Sequence, residues 1–110
     1  MAAPAAISVD LAHLAQGEDF GVVFSDGDAD WSAADAVLIL TPPSGTAPPD
    51  LAGTVSVDGT EATFTALGST TASWVKGRWT YEFWIDNGGG SRDLLVAGQF
   101  TVFVPVGGLP

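Results

Sequence analysis

Apolar and polar side chains alternate along most of this chain, and a period of two residues is the pattern of half-buried β-strands. The alternation is clearest over residues 78–86, where every second residue is large and apolar: Trp79, Tyr81, Phe83 and Ile85. Thr80, Glu82 and Trp84 then fall on the opposite face. Shorter stretches of the same kind predict further strands over residues 7–11, 20–24, 35–41, 53–57, 60–66 and 92–104.

Turn-forming residues separate these predicted strands. Asp58-Gly59 lies between two of them and predicts a tight hairpin, because glycine adopts a positive φ without strain. Residues 41–50 include four prolines, which cannot donate backbone hydrogen bonds to a sheet, so an extended surface loop is predicted there. Residues 69–75 break the alternation and predict one helical turn capped by Ser69. Gly98 predicts a β-bulge in the last strand.

About seven short strands with one longer connection predict an all-β fold, an immunoglobulin-like Greek-key β-sandwich with one short helical turn. A β-barrel is the alternative fold. The 110 residues are enough for a single domain, with its core in residues 7–104 and short terminal tails. Hydrophobic residues make up 46% of the chain, which is ample for one core and argues against disorder.

The charge of the chain narrows the range of partners. There are 13 acidic residues against 3 basic ones, and a net charge of -10 repels a phosphate backbone, so no nucleic-acid partner is expected. The first residues contain no Lys or Arg, and no signal peptide is expected. No stretch reaches the roughly 20 apolar residues of a membrane span, so no membrane partner is expected either.

The chain lacks the residue sets that many catalytic sites need. It has no cysteine, and His13 is its single histidine, so one chain cannot assemble a histidine pair, a catalytic triad or a zinc cluster. Glu61 and Glu82 fall on separate predicted strands and Glu18 lies just before another, and nothing marks one of them as the acid of a carboxylate pair. We therefore expect a protein that is not an enzyme.

Asp26, Asp28 and Asp30 place three carboxylates at alternate positions of one loop, which is how a calcium ion gathers oxygen ligands. The pattern is incomplete, because a helix-loop-helix calcium site has Gly at its sixth position and Glu at its twelfth. Trp31 and Val37 stand at those positions here. The alternative is a solvated turn that Asp and Gly favour for backbone reasons, and we expect no cofactor.

The four tryptophans are candidates for stacking on a sugar ring. Trp79 is in phase with the core face of its strand, and Trp31 and Trp74 are expected to close the two ends of the sandwich. Trp84 is the one tryptophan out of phase with the core, so the sequence predicts no aromatic cluster for a glycan.

An apolar outer face is the most specific site prediction. In an immunoglobulin-type sandwich the third, sixth and seventh strands are neighbours in one sheet. The third strand is apolar on both sides, so either Val37 with Ile39 or one pair of leucines must point outward. The interface is assigned to four residues: Leu38, Leu40, Trp84 and Phe103. The alternative is that a terminal segment of the chain folds over this face.

Four segments of the chain resemble motifs of one protein family in the same order. Gln16-Gly17-Glu18-Asp19-Phe20 resembles the motif QGDTF, and residues 30–36 resemble DLTGAT at the entry to a third strand. Residues 69–83 are similar to SAADTAALPAGRYVYDL, and residues 93–102 are similar to TLLSGTFTV. The family is that of the small immunoglobulin-like virion domains of tailed bacteriophages, notably the amino-terminal domains of upper baseplate proteins. The resemblance covers residues 7–104.

The resemblance implies a structural, non-catalytic virion protein, either a baseplate or tail component or a capsid decoration. Its partners would be other virion subunits, and it would form a homo-oligomer or be present in many copies after assembly in the host cytoplasm. The alternative function is an immunoglobulin-like adhesin module that binds a host cell-surface glycan or a protein. In both cases the protein acts through its surface.

Overall fold

A computed structural model describes residues 7–105 of the chain. Over that range the strands and the helix are β1 (Ile7–Ser8), β2 (Leu14–Ala15), β3 (Phe20–Ser25), β4 (Asp35–Thr41), β5 (Leu51–Ala52), β6 (Thr54–Val55), β7 (Glu61–Ala66), α1 (Gly68–Thr71), β8 (Gly77–Gly88) and β9 (Ser91–Phe103). The fold is all-β, as the alternation predicts. Within residues 7–105, no helix has the length and apolar character needed to cross a membrane.

The strands form two sheets. The larger sheet has the order β1-β9-β8-β4-β5, with β2 pairing a further stretch of β9, and the smaller sheet has the order β3-β7-β6. β1 and β2 run parallel to β9, whereas β8 is antiparallel to both β4 and β9. In the smaller sheet, β7 is antiparallel to both of its neighbours.

One apolar core lies between the two sheets. Every second residue of β8 from Trp79 to Ile85 is buried, and β4, β9 and the smaller sheet supply the side chains that face them. Phe24 of β3 stacks on Phe83 of β8 with ring centroids 4.5 Å apart, so the sheets are in direct contact. Complete burial of a large apolar side chain contributes about 1.5–3 kcal/mol, so this layer supplies most of the driving force for folding.

The hairpin predicted at Asp58-Gly59 connects β6 to β7. Gly59 has a φ of 76°, and the Asp58 carboxylate accepts hydrogen bonds from the hydroxyls of Ser56 and Thr60 at 2.7 and 2.9 Å. These hydrogen bonds favour the charged carboxylate and lower the pKa of Asp58. The turn is therefore determined by residues that are adjacent in the sequence.

The strand predicted over residues 53–57 is present but shorter, as β6, and the chain changes sheets immediately before it. β5 pairs with β4 in the larger sheet, and β6 pairs with β7 in the smaller one. Gly53 lies between them and donates its N–H to the Ala36 carbonyl at 2.9 Å. A Cβ at Gly53 would lie 2.8 Å from the Phe64 ring, so the crossing requires a residue without a side chain.

Gly98 is not the site of a β-bulge. It pairs in register with Tyr81, and its lack of a side chain lets the Val9 carbonyl lie directly against it. The Tyr81 hydroxyl donates a hydrogen bond to the same carbonyl. The bulge of β9 lies at Leu95, between the pairs Phe83–Val96 and Trp84–Leu94. Its position places Leu95 towards the core.

The helical turn predicted over residues 69–75 is α1, but Ser69 does not cap it. The Asp19 carboxylate accepts the N–H of Gly68 at 2.7 Å. The Thr71 hydroxyl donates to the Glu18 carbonyl at 2.6 Å. The loop that leads into β3 therefore holds this helix, through contacts between residues that are far apart in the sequence.

Candidate interaction face

The outer face of the larger sheet does not contain the two leucines that the sequence assigned to it. Leu38 and Leu40 are 0% and 1% exposed, so their assignment to an interface is wrong. They pair with Phe83 and Tyr81, and directly opposed residues of neighbouring strands point to the same face of a sheet. The core face of β8 thus fixes the phase of β4, which its own sequence leaves open.

Val37 and Ile39 are the residues of β4 that point outward, and both are half-buried. Val37 is paired with Trp84 of β8, and Trp84 is paired with Leu94 of β9. Such opposed side chains have their Cβ atoms about 4.5–5.5 Å apart. Val37, Trp84 and Leu94 thus form a continuous line across three strands, which we call the apolar row.

Leu94 belongs to the apolar row because of the bulge in β9. Val96 is paired with Phe83, so an unbroken register would place Leu95 opposite Trp84. The extra residue brings Leu94 to that position instead. Leu94 is not among the four residues that the sequence assigned to the interface. Two adjacent leucines carry no signal that tells which of them points outward.

Phe103 points away from the core and is 44% exposed, but it is not part of the apolar row. It lies nine residues beyond Leu94 on the same strand, which corresponds to about 30 Å at 3.3 Å per residue. The outward positions between them are mostly polar: Arg78, Thr80, Glu82, Gln99 and Thr101. The expected interface therefore divides into a half-buried row at one end and an isolated aromatic at the other.

Charged side chains border the apolar row. Asp35 and Asp86 are directly opposed on the outer face, next to Val37 and Trp84. Asp86 accepts the N–H of Gly88 at 2.9 Å and forms an ion pair with Arg92 at 3.2 Å. The Gly88 hydrogen bond, and to a smaller extent Arg92, hold the pKa of Asp86 below its usual value. An acidic border of this kind favours a partner surface that carries positive charge.

A polar depression of about 520 Å³ lies beside the apolar row on the same face. Its lining includes the carboxylates of Asp10 and Glu82 and the side chains of Thr80 and Gln99. Asp10 accepts the N–H of Gln99 at 3.1 Å, and Glu82 accepts the indole N–H of Trp84 at 3.3 Å. One aromatic ring therefore borders a group of hydrogen-bonding side chains.

The other tryptophans pack in or against the core. Trp79 and Trp74 are 1% and 3% exposed, with ring centroids 5.2 Å apart. Trp31 is half-buried and meets Phe83 edge-on, with ring centroids 5.4 Å apart. These rings pack against other core side chains, so Trp84 is the tryptophan on the outer face.

The Asp26, Asp28 and Asp30 carboxylates lie in an exposed loop, where two of them hold backbone turns. Asp26 accepts the N–H of Asp28 at 3.0 Å, and Asp30 accepts the hydroxyl of Ser32 at 2.6 Å. The Ser32 bonds lower the pKa of Asp30. Across the part of the chain that the structure describes, no three acidic, histidine or cysteine side chains come close enough together to hold a metal ion.

No family model and no curated protein matches this chain. The expected covering of the outer face by the Ala-rich amino terminus or by residues 106–110 falls mainly outside the described residues. The apolar row, its acidic border and the depression beside it are the features of the outer face that a partner or ligand would contact.

Proposed function

We propose that this protein is a structural, non-catalytic virion component of a tailed bacteriophage, located in the baseplate or tail or on the capsid surface. The observation that carries the proposal is the apolar row of Val37, Trp84 and Leu94 on the outer face of a strongly acidic chain. Contiguous apolar side chains on an outer face commonly mark a site where another protein docks. The row serves as the contact with another virion subunit.

An immunoglobulin-type Greek-key topology is part of this proposal. The strand order supports it, because β3 and β7 then correspond to strands B and E, opposite β4, β8 and β9 as strands C, F and G. The indole N–H of Trp79 donates to the Val75 carbonyl at 2.9 Å. That bond is equivalent to the one from the corner tyrosine of such domains to the backbone upstream.

The resemblance to phage virion domains adds support from a different part of the chain. Gln16, in the first motif, donates its side-chain N–H to the Trp74 carbonyl at 2.6 Å, and Asp19 of the same motif holds Gly68. This motif therefore links the entry of β3 to the segment that follows α1. Residues of the fourth motif lie in β9, which contributes Leu94 to the apolar row.

The location of the chain tests the proposal. Mass spectrometry of purified virions and immunogold labelling should place it in the baseplate, the tail or the capsid surface, in a fixed ratio to the major structural proteins. The neighbouring reading frames should encode other virion proteins. A chain absent from purified virions and encoded beside secretion or cell-wall genes would overturn the proposal.

The alternative function is an adhesin that binds a host glycan, and the depression beside Trp84 is the observation that favours it. A flat indole ring next to carboxylate, hydroxyl and amide groups is the combination that stacks on and hydrogen-bonds to a sugar. A glycan array probed with the purified protein distinguishes the two functions. Glycan binding that is lost in Trp84→Ala, in a protein absent from virions, would favour the adhesin.

A further inference from the structure

β3 forms a free edge of the smaller sheet. It pairs with β7 on one side, and within residues 7–105 no strand pairs with its other side. β3 has six residues, whereas the edge strands β5 and β6 have two each. An edge of six residues is long enough to align an extended peptide as an additional strand.

The register shows which backbone groups are available on this edge. The last paired residues of β3 and β7 are Ser25 and Glu61, and the next opposed residues are Asp26 and Thr60. Asp26 donates its N–H to the Thr60 carbonyl at 2.9 Å, so this is a hydrogen-bonded pair. Hydrogen-bonded and non-bonded pairs alternate along an antiparallel ladder. Counting back from Asp26, residues 24, 22 and 20 are bonded to β7, and the N–H and C=O groups of Gly21, Val23 and Ser25 point away from it. Across the described residues they have no hydrogen-bond partner.

β3 lacks the features with which proteins usually protect an exposed edge. It contains no proline and no lysine, and its pairing with β7 is unbroken over all six residues. The Val23 side chain is 54% exposed. An uncovered edge of this kind would favour uncontrolled aggregation unless a particular strand occupies it.

An open groove of about 370 Å³ lies beside this edge, between β3 and the segment around Val9. Val22 and Phe24 line it from β3, and Leu11 and Val96 line it from the opposite side. All four are half-buried, so apolar surface remains available there. Alternate side chains of an added strand would enter this groove, because successive side chains of a strand point to opposite faces.

The charges around β3 argue against a second copy of this chain as the occupant. A symmetric antiparallel pair of β3 strands, bonded through Gly21, Val23 and Ser25, brings Glu18 opposite Asp26 or Asp28 of the other copy. Opposed like charges destabilise strand pairing, and each copy has a net charge of -10. A strand with basic residues at both ends meets the same carboxylates favourably.

We propose that the β3 edge binds an extended segment of a different protein, which adds to the smaller sheet as a further strand. The segment has apolar residues at alternate positions, which fill the groove, and Lys or Arg at both ends, which face Glu18, Asp19 and Asp26. This site is separate from the apolar row, and the proposal does not depend on a virion location.

A synthetic peptide of alternating Val and Thr with Lys at both ends is the probe, and the same peptide with Glu at both ends is its control. Heteronuclear NMR at low salt should show the Lys peptide shifting the amide signals of Gly21, Val23 and Ser25. Their hydrogen exchange should slow when it binds. The Glu peptide should bind at least about tenfold more weakly, because its charges oppose the acidic border.

Val23→Pro is the decisive variant, since it removes an edge N–H while leaving the bonds to β7 in place. It should abolish binding of the Lys peptide, whereas Val23→Thr, which keeps the N–H, should bind within about twofold of the original chain. If Val23→Pro does not fold, slowed exchange at the three edge amides in the unchanged protein decides the matter. Binding without that protection, binding that survives in a folded Val23→Pro, no binding of the Lys peptide, or a homodimer formed through β3 would overturn the proposal.

Discussion

The apolar row on the larger sheet and the β3 edge of the smaller sheet offer a partner two different kinds of contact. The row presents the side chains of Val37, Trp84 and Leu94, while the backbone of their strands is paired on both sides. The β3 edge presents the backbone groups of Gly21, Val23 and Ser25, with few specific side chains. A side-chain surface selects its partner by shape and polarity. A backbone edge can pair with many strands, and it selects among them by their end charges and by the side chains that fit the groove.

This difference leads to different effects of mutation. Substitution of an outward side chain removes the contact of the apolar row and leaves the fold intact, because the core face of the same strand is unchanged. The contact of the β3 edge persists through most side-chain substitutions, because its donors and acceptors belong to the backbone. It is lost when an edge N–H is removed.

Leu38→Ala and Val37→Ala should differ most in their effect on the free energy of unfolding, because the two residues are adjacent in β4 and face opposite sides of the sheet. Leu38 is fully buried, so Leu38→Ala should lower the free energy of unfolding by about 2–5 kcal/mol through lost burial and a cavity. Val37→Ala should lower it by less than about 1 kcal/mol. Urea denaturation followed by tryptophan fluorescence measures both. Equal losses would mean that the face assignment of β4 is wrong.

Proline substitutions at two adjacent positions of β3 should give the next largest difference in folding stability. Val22→Pro removes an N–H that is bonded to β7, and the unpaired carbonyl costs about 1–3 kcal/mol. Val23→Pro removes an N–H that points outward and should change stability much less. Thermal unfolding by circular dichroism measures the two variants. A larger loss for Val23→Pro would reverse the assignment of the free edge and remove the basis for strand addition.

The Asp86 carboxylate, bonded to Gly88 and paired with Arg92, should make a small contribution to folding stability that depends on pH. The pKa of Asp86 is lowered in the folded protein, so its stabilising effect is present above the ordinary carboxyl value and is lost as pH falls through the folded value. Asp86→Asn should therefore lower the Tm slightly at pH 7, and this difference should shrink as the pH falls below the ordinary carboxyl value. Calorimetry across this range measures the difference. A gap that persists at low pH would mean that the carboxylate charge is not its source.

Calcium should have the smallest effect, with no change in Tm. Asp26 and Asp30 hold local turns, and the three carboxylates, with Asp28, do not come together as a metal-binding group, so a cation gains little there. A bound cation would also cancel the negative charge at one end of the β3 edge. Thermal unfolding in millimolar calcium and then in chelator tests this. A higher Tm in calcium would restore the metal site and weaken the case for a basic strand.

The alternation in β8 was sufficient to predict its core face, because Trp79, Tyr81, Phe83 and Ile85 are separated by more polar residues. β4 is apolar on both faces, so its sequence does not tell which residues point to the core. The pairing of each residue of β4 with a residue of β8 decides this. The outward position of Leu94 depends on a bulge that no glycine or proline marks. Strand positions followed from local patterns, whereas faces and registers followed from pairing between distant segments.

The free edge of β3 is also a property of pairing rather than of local sequence. Residues 20–24 predict a strand in any arrangement of the sheets. The edge is left open because the chain before it pairs with β9 in the other sheet. Asp19 similarly acts on α1 from a position 49 residues earlier in the chain. Such contacts need the whole topology, so the sequence alone does not reveal them.

Incorporation of two outward-facing variants into virions tests the central claim, that the apolar row is the docking surface. Trp84→Ala and Phe103→Ala each remove an aromatic side chain from the same sheet face, about 30 Å apart along the strands. Each variant is supplied to a phage that lacks the gene, and the amount in purified virions is measured by quantitative mass spectrometry. Loss of a central aromatic contact costs about 2 kcal/mol, so incorporation of Trp84→Ala should fall about 30-fold while its Tm stays near that of the original chain. Phe103→Ala should be incorporated normally. Normal incorporation of Trp84→Ala would contradict the account.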